Sequence, residues 1–322
     1  MANKVLIMKT GYSEILEGRN NSRRVSFGDI LRITPLLHVY KEDNLTWLTD
    51  SEAYPLLQEN PLINRILPYD MTTVLQLQSE EFDTVINLEK IPGICALADK
   101  IRARRNRFGF TFNSQTGEAE AYDHAYDILA ISSDKILKKT NDKTSQELLF
   151  KMVGAKWNKE KYSLGYKPKR NGEYDVALNT YVGPKWPTKV WAKQNWDGLE
   201  KNLLKEGFSV TRQDKQDDSV LKNLYLYIDW INSAKILVSS DSLGLHLGIA
   251  LEKYVFGLFG ATPHKEIYFY GKGEAILPKE KPECMPCMEG KCILDKNCID
   301  EINPMRVANK ITEVYAKSQS NE

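Results

Sequence analysis

The sequence predicts an α/β protein made of two doubly wound halves, and three features of the chain carry that expectation. Short apolar runs of strand length alternate with helix-length segments through the first half, the order that builds a parallel sheet flanked by helices. The segment Gly165-Tyr166-Lys167-Pro168-Lys169-Arg170-Asn171-Gly172 then combines Pro, Asn-Gly and charge without periodicity, which is linker chemistry. Past it the alternation restarts. At 322 residues the chain has room for two domains of ordinary size, placed at 1–166 and 167–322.

In the first half, Val5 to Met8, Leu45 to Leu48, Arg65 to Leu67, Thr84 to Leu88 and Arg107 to Phe112 read as strands. Ile30 to Tyr40, Ala53 to Glu59 and Ile91 to Arg102 read as the connecting helices, and Tyr122 to Leu137 and Ser145 to Val153 as helices closing the domain. In the second half, strands are expected at Val176 to Asn179, Phe208 to Thr211, Ile236 to Val238 and Tyr254 to Phe259. Helices are expected at Trp196 to Glu206 and Asn223 to Ser233.

The most informative stretch is Ser239-Ser240-Asp241-Ser242-Leu243-Gly244-Leu245-His246-Leu247-Gly248-Ile249-Ala250-Leu251. An apolar run, Ala234 to Val238, precedes it as a buried strand. Ser242 is a natural N-cap, and Leu243, His246, Leu247 and Ala250 fall on one face of the helix that follows. Gly244 and Gly248 allow a ligand or a neighbouring strand close to the backbone. A strand running into a helix start offers unpaired N–H groups and a positive dipole end, a seat for a diphosphate. Asp241, at the strand's carboxyl end, would lie beside that seat and accept hydrogen bonds from sugar hydroxyls.

This motif, followed by Leu258-Phe259-Gly260-Ala261-Thr262-Pro263, resembles the donor-site signature of the ADP-heptose:lipopolysaccharide heptosyltransferases, glycosyltransferase family 9. The resemblance extends over nearly the whole chain. Lys4-Val5-Leu6-Ile7-Met8-Lys9 and Gly28-Asp29-Ile30-Leu31-Arg32-Ile33-Thr34-Pro35-Leu36-Leu37 are similar to the family's first strand and its Gly-Asp helix start. Phe82-Asp83-Thr84-Val85-Ile86-Asn87-Leu88, Arg107-Phe108-Gly109-Phe110 and Lys185-Trp186-Pro187 fit as well. The resemblance implies two Rossmann-like domains facing a cleft, the GT-B type, and an inverting transfer of a heptose or related sugar. The donor would be a nucleotide sugar, ADP-heptose, bound by the second domain. The acceptor, held by the first, would be a saccharide or glycolipid such as lipopolysaccharide inner core. No cofactor is implied for catalysis. With Met1-Ala2-Asn3-Lys4 leading straight into a strand-length apolar run and no small-residue cleavage site, the chain is read as cytoplasmic, any membrane contact being peripheral, at the inner face of the bacterial inner membrane.

Asp29 would be the general base, accepting the proton of the acceptor hydroxyl as that oxygen attacks the anomeric carbon. Read from its position alone it is an ordinary acidic residue in a helix's first turn. One departure from the family stands out: Tyr12 to Phe27, with Glu14, Glu17, Arg19, Asn20, Asn21, Arg23 and Arg24, intervenes between the first strand and the Gly-Asp turn. A loop of that length in a compact domain is usually functional or disordered. It would overhang the acceptor side, which opens a protein or another non-lipopolysaccharide acceptor as the alternative.

Lys185 would neutralise the nucleotide diphosphate, whose departure develops negative charge. Lys189 is a rival for that role, and Thr180 would add a hydroxyl. His246 is expected to be partly buried and to orient the donor rather than to exchange protons. The basic run Lys100-Ile101-Arg102-Ala103-Arg104-Arg105-Asn106-Arg107 reads as a solvated helix end, with phosphorylated sugars or anionic headgroups as the alternative partner.

Cys284, Cys287, Cys292 and Cys298 form Cys-x2-Cys-x4-Cys-x5-Cys in a loop-like segment with Pro286 and Gly290. In a chain read as cytoplasmic this favours metal or reduced thiols over disulfides, and four thiolates suit a structural Zn or Fe. Cys95 reads as a small buried apolar residue. A formal net charge of +1 argues against a general nucleic-acid binder, and no stretch nears the roughly 18 apolar residues of a membrane span. A nicotinamide-dependent oxidoreductase is opposed by the lack of a G-x-G-x-x-G after the first strand, whereas a non-catalytic nucleotide-sugar binder stays open.

Overall fold

The computed structural model describes residues 2–12, 25–183, 186–294 and 296–319. The chain divides into two compact units, Met1–Leu137 with Lys143–Lys167, and Lys138–Asp142 with Pro168–Glu322.

The first unit runs β1 (Lys4–Met8), α1 (Phe27–Leu31), β2 (Asn44–Thr49), α2 (Tyr54–Leu57), β3 (Arg65–Pro68) and α3 (Met71–Ser79). It continues through β4 (Glu81–Asn87), α4 (Pro92–Lys100), β5 (Arg102–Phe112), β6 (Ala119–Ala121), α5 (Tyr126–Ser133), α6 (Lys135–Thr140, its residues from Lys138 counted with the second unit) and α7 (Ser145–Met152). Its sheet has the order β3-β2-β1-β4-β5-β6, with every pair parallel except β5 and β6. The chain steps outward from β1 through β2 and β3, then crosses to the other side of β1 for β4. Strand order therefore reverses between β1 and β4, and a ligand crevice in such a sheet opens at the carboxyl ends of that pair. Leu6, Met8, Leu48, Val85, Ile94, Leu97 and Ala98 pack one face of this sheet against α4.

The second unit runs β7 (Tyr174–Asn179), α8 (Lys193–Lys205), β8 (Val210–Arg212), α9 (Asp218–Lys222), α10 (Leu224–Asn232) and β9 (Ala234–Ser240). Then come α11 (Leu243–Ala250), β10 (Tyr254–Leu258), β11 (Gly273–Ile276) and α12 (Pro304–Gln319). Its five strands are all parallel in the order β11-β10-β9-β7-β8, so the second sheet expected from the restarted alternation is present. Here the order reverses between β7 and β9. Val176, Leu178, Val238 and Phe256 form its core with Trp191 and Trp196, whose rings meet edge to face at 4.8 Å.

Two expectations are corrected. The helix expected over Ile30 to Tyr40 is broken: α1 stops at Leu31 and a 3₁₀ segment spans Thr34–Tyr40. Pro35 accounts for the break, since a proline disfavours α geometry in the residue before it and lacks an N–H, and the Thr34 hydroxyl bonds the Leu31 carbonyl at 2.7 Å. The basic run is not a helix end. From Arg102 onward it is strand, aligned on β4, whose acids take its cations: Arg104 pairs with Glu81 at 2.7 Å and Arg105 with Asp83 at 3.7 Å. Five elements had no counterpart in the sequence reading: α3, whose Asp70 cap accepts from the Thr73 N–H at 2.7 Å, β6, α9, β11 and α12. Among the described residues no helix is long and apolar enough to cross a membrane.

Candidate active site

In the second unit, the candidate residues gather at the β7/β9 reversal. Asn179 closes β7 and is fully buried. Its side-chain amide donates to the Ser239 hydroxyl at 2.9 Å and to the Ser242 hydroxyl at 3.1 Å. The Tyr227 hydroxyl on α10 donates to the Asn179 carbonyl oxygen at 2.6 Å. Ser242 does occupy the N-cap position of α11, with extended backbone, but its side chain makes no capping bond. Its hydroxyl is engaged by Asn179 instead, so the first-turn N–H groups of α11 keep their capacity for another acceptor.

Packing explains the glycines. A Cβ on Gly244 would lie 2.4 Å from the Asn179 amide nitrogen, and one on Gly248 would lie 2.5 Å from Leu237 on β9. Both glycines admit protein neighbours, which lets the helix start sit directly on the strand ends. The helix is therefore buried on most sides, Leu245 and Ile249 included, rather than along the one stripe expected from Leu243, His246, Leu247 and Ala250.

The charged part lies one residue beyond β9. Asp241 accepts from the Lys189 ammonium at 2.8 Å, with side-chain exposures of 16% and 14%. Burial pushes the Asp241 carboxyl upward, but the Lys189 and His246 charges outweigh it and hold the group down at about 2. Lys189 also stands 5.4 Å from the centre of the Trp186 ring. His246 is buried, as expected, and close enough to act on Asp241. Thr180 follows Asn179 at the end of β7 and is half-buried. Lys185 lies outside the described residues.

In the first unit, Asp29 stands in the first turn of the short helix α1, and its carboxylate pairs with Arg32 one turn on, at 3.1 Å. Asp29 is only 13% exposed in its side chain against 35% for Arg32, so the carboxylate sits half-sheltered beside a wetter guanidinium. At the β1/β4 reversal a second pair is fully enclosed: Lys9 and Glu89, 3.2 Å apart. Glu14, Glu17, Arg19, Asn20, Asn21, Arg23 and Arg24 lie outside the described residues.

The four loop cysteines are half-buried thiols. Burial, with the nearby Cys287, Cys292 and Cys284, pushes the Cys298 thiol up to about 11, so the four are neighbours. As they stand they do not make a ligand set: among the described residues no three His, Cys, Asp or Glu side chains are arranged to hold an ion. Cys95 is buried and donates to the Glu89 carbonyl at 3.1 Å.

Sequence reasoning missed Asn179 and Tyr227, and held Lys189 only as a rival to Lys185. One signal for Asn179 was present: an amide ending the apolar strand Val176-Ala177-Leu178. Tyr227 had none, since it reads as one more apolar residue of its helix.

Residues 222–297, which contain α10, β9 and α11, match the model of glycosyltransferase family 9 (heptosyltransferase). No curated protein gives a significant match. Among solved structures, a glycosyltransferase family 9 protein from Veillonella parvula is similar at a TM-score of 0.66 and 14% identity, covering 97% of this chain and 96% of its own. The E. coli heptosyltransferase WaaC with ADP-2-deoxy-2-fluoro heptose is similar at 0.59 and 15% identity, with 96% and 99% covered. The iron-containing dodecameric glycosyltransferase TibC of enterotoxigenic E. coli gives 0.58 and 13% identity, over 99% of this chain and 77% of that one. These likenesses give the fold, that of two-unit α/β glycosyltransferases. The sequence match falls on the segment that builds the β7/β9 reversal, and it is this segment, residues 222–297, that is similar to glycosyltransferase family 9.

Proposed function

We propose that this glycosyltransferase moves a heptose or closely related sugar, with inversion, from a nucleotide-activated donor, ADP-heptose, to a saccharide acceptor. The observation that carries the reading is the helix start at Ser242–Gly244, whose cap hydroxyl is bonded to Asn179 and not to the helix. The diphosphate is assigned to those N–H groups and to Lys185, and sugar hydroxyls to Asp241, with Thr180, Leu243 and His246 lining the donor. Asp29 is assigned the proton of the acceptor hydroxyl. The acceptor oxygen bonds to the anomeric carbon as the bond from that carbon to the phosphate oxygen breaks, and ADP leaves with the electron pair. A single displacement inverts the centre. Solved structures of similar fold hold ADP or an ADP-heptose analogue, which supports the donor class.

Lipopolysaccharide inner core is the leading acceptor, and the segment between Tyr12 and Phe27, a departure from the family pattern, is what raises a protein or another non-lipopolysaccharide acceptor as the alternative. The cysteine loop is assigned a structural role, with one Zn or Fe ordering it when bound. Elemental analysis of protein purified without chelator is expected to give one such ion per chain, and folded metal-free protein with four titrating thiols would remove that assignment.

A nucleotide panel tests the donor. ADP and ADP-heptose are expected to raise the melting temperature, by mass action on the folded state, and NAD to leave it unchanged. Equal stabilisation by NAD, or none by any nucleoside diphosphate, overturns the donor reading.

A further inference from the structure

Glu89 lies just past β4 with a fully enclosed carboxylate. One of its oxygens accepts from the Gly11 N–H at 2.7 Å and pairs with the Lys9 ammonium at 3.2 Å. The other is buried and has no hydrogen-bond partner among the described residues. Its backbone is pinned from behind: Asn87 donates to the Glu89 carbonyl and accepts from the Glu89 N–H, each at 3.1 Å. A buried ion pair with an oxygen left over is poorly suited to adding stability, since two apolar side chains of similar volume would do as well or better. Its use lies in what it holds.

Gly11 is held at both ends. Its φ of +85° belongs to the left-handed region, and a Cβ there would lie 2.7 Å from Val25 and 2.9 Å from Ile30. Its carbonyl accepts from the Ser26 N–H at 2.9 Å, and Ser26 is the residue from which α1 starts. The Ile30 N–H in turn donates to the Ser26 carbonyl at 3.3 Å. The buried carboxylate thus reaches the first turn that bears Asp29 through one hydrogen-bonded residue on each side of a gap in the sequence.

We propose that Glu89 is a positioning residue for Asp29, setting the helix start through Gly11 and Ser26. The proposal rests on the reading of Asp29 as the base. A displacement of about 1 Å from working geometry can cost on the order of 10²-fold in rate.

The test uses the full chain, ADP-heptose as donor and heptose-deficient lipopolysaccharide core as acceptor, with hydrogen exchange of the 25–32 peptide as a second readout. Glu89→Leu is expected to fold, to bind ADP as the parent does, to exchange faster over 25–32, and to lose about 10–100-fold in kcat at nearly constant KM for the donor. The pair Lys9→Met with Glu89→Gln leaves no charge unmatched and keeps an oxygen for the Gly11 N–H, so it is expected to restore both readouts. In an Asp29→Asn background, Glu89→Leu is expected to add no further loss. Wild-type exchange and kcat in Glu89→Leu would overturn the proposal, as would losses that multiply with Asp29→Asn. Should Glu89→Leu fail to fold, the Lys9→Met, Glu89→Gln pair decides: slow kcat and fast exchange there also overturn it. Full turnover in Asp29→Asn alone would sink the base assignment, and the exchange data would still report whether Glu89 holds α1.

Discussion

At the β7/β9 reversal the strand ends carry neutral side chains, Asn179, Ser239 and Ser242, bonded to one another, and the charges of Asp241 and Lys189 stand one step further out. At the β1/β4 reversal the charges themselves, Lys9 and Glu89, are enclosed and paired, and Glu89 also accepts from the Gly11 backbone N–H. The same topology therefore presents two kinds of surface. A neutral network leaves the positive end of α11 unopposed, which suits an anion. Beside the other crevice the charges already match each other, so the enclosed pair offers no unanswered positive end to an anion. The proposed placement of the donor in the second unit, and of the acceptor with Asp29 in the first, makes use of this contrast.

The largest expected effect breaks the first-unit side. Asp29→Asn keeps the shape but cannot take a proton, so turnover should fall on the order of 10²–10⁴-fold while ADP affinity, measured on the same preparation, stays near that of the parent. Wild-type turnover would make Asp29 a helix-start residue, with Glu14 and Glu17 the next to examine.

Two lysines sharpen the second-unit side. Lys185→Ala should weaken ADP binding by about 1–3 kcal/mol, the loss of a charge-assisted hydrogen bond, with little change in melting temperature. Lys189→Ala should instead lower the melting temperature without ligand, because it strands the Asp241 carboxylate. Calorimetry and thermal melts of the two variants separate the roles, and an interchange of the two patterns would make Lys189 the phosphate ligand.

The smallest effect concerns pH. Asp241 titrates near 3.8 when unfolded and at about 2 when folded, so its contribution is present in full above the unfolded value and is lost as pH falls toward the folded one. That amounts to about 2 kcal/mol between pH 4 and pH 2. Denaturant unfolding of Asp241→Asn should show a correspondingly flatter acid limb, and parallel limbs would mean the ion pair adds nothing.

What could be read from the chain follows the sequence distance over which each feature is built. The β9–α11 turn was legible because strand, cap and glycines are contiguous from Ala234 to Ala250. The network that gives that turn its chemistry was not, since Asn179 and Ser242 are 63 residues apart and Tyr227 lies 48 from Asn179. Gly11 and Glu89 are separated by 78. Composition misled over residues 102–106, where a charge run that reads as solvated helix end extends the strand expected from Arg107 and is answered by Glu81 and Asp83 across the ladder. The break at Pro35 could have been read from local rules alone.

The hydrogen bond from Ser26 to Gly11 joins the two edges of the added segment at a single point. A loop whose ends are clasped can lengthen, shorten or change composition with little mechanical consequence for what lies outside the clasp, each doubling of length costing only about 0.6 kcal/mol in closure entropy. The clasp is made by Gly11 and Ser26 themselves, so it holds the start of α1 whatever sequence is written between Tyr12 and Val25. Selection can edit that stretch of sequence without having to rebuild the helix start that bears Asp29.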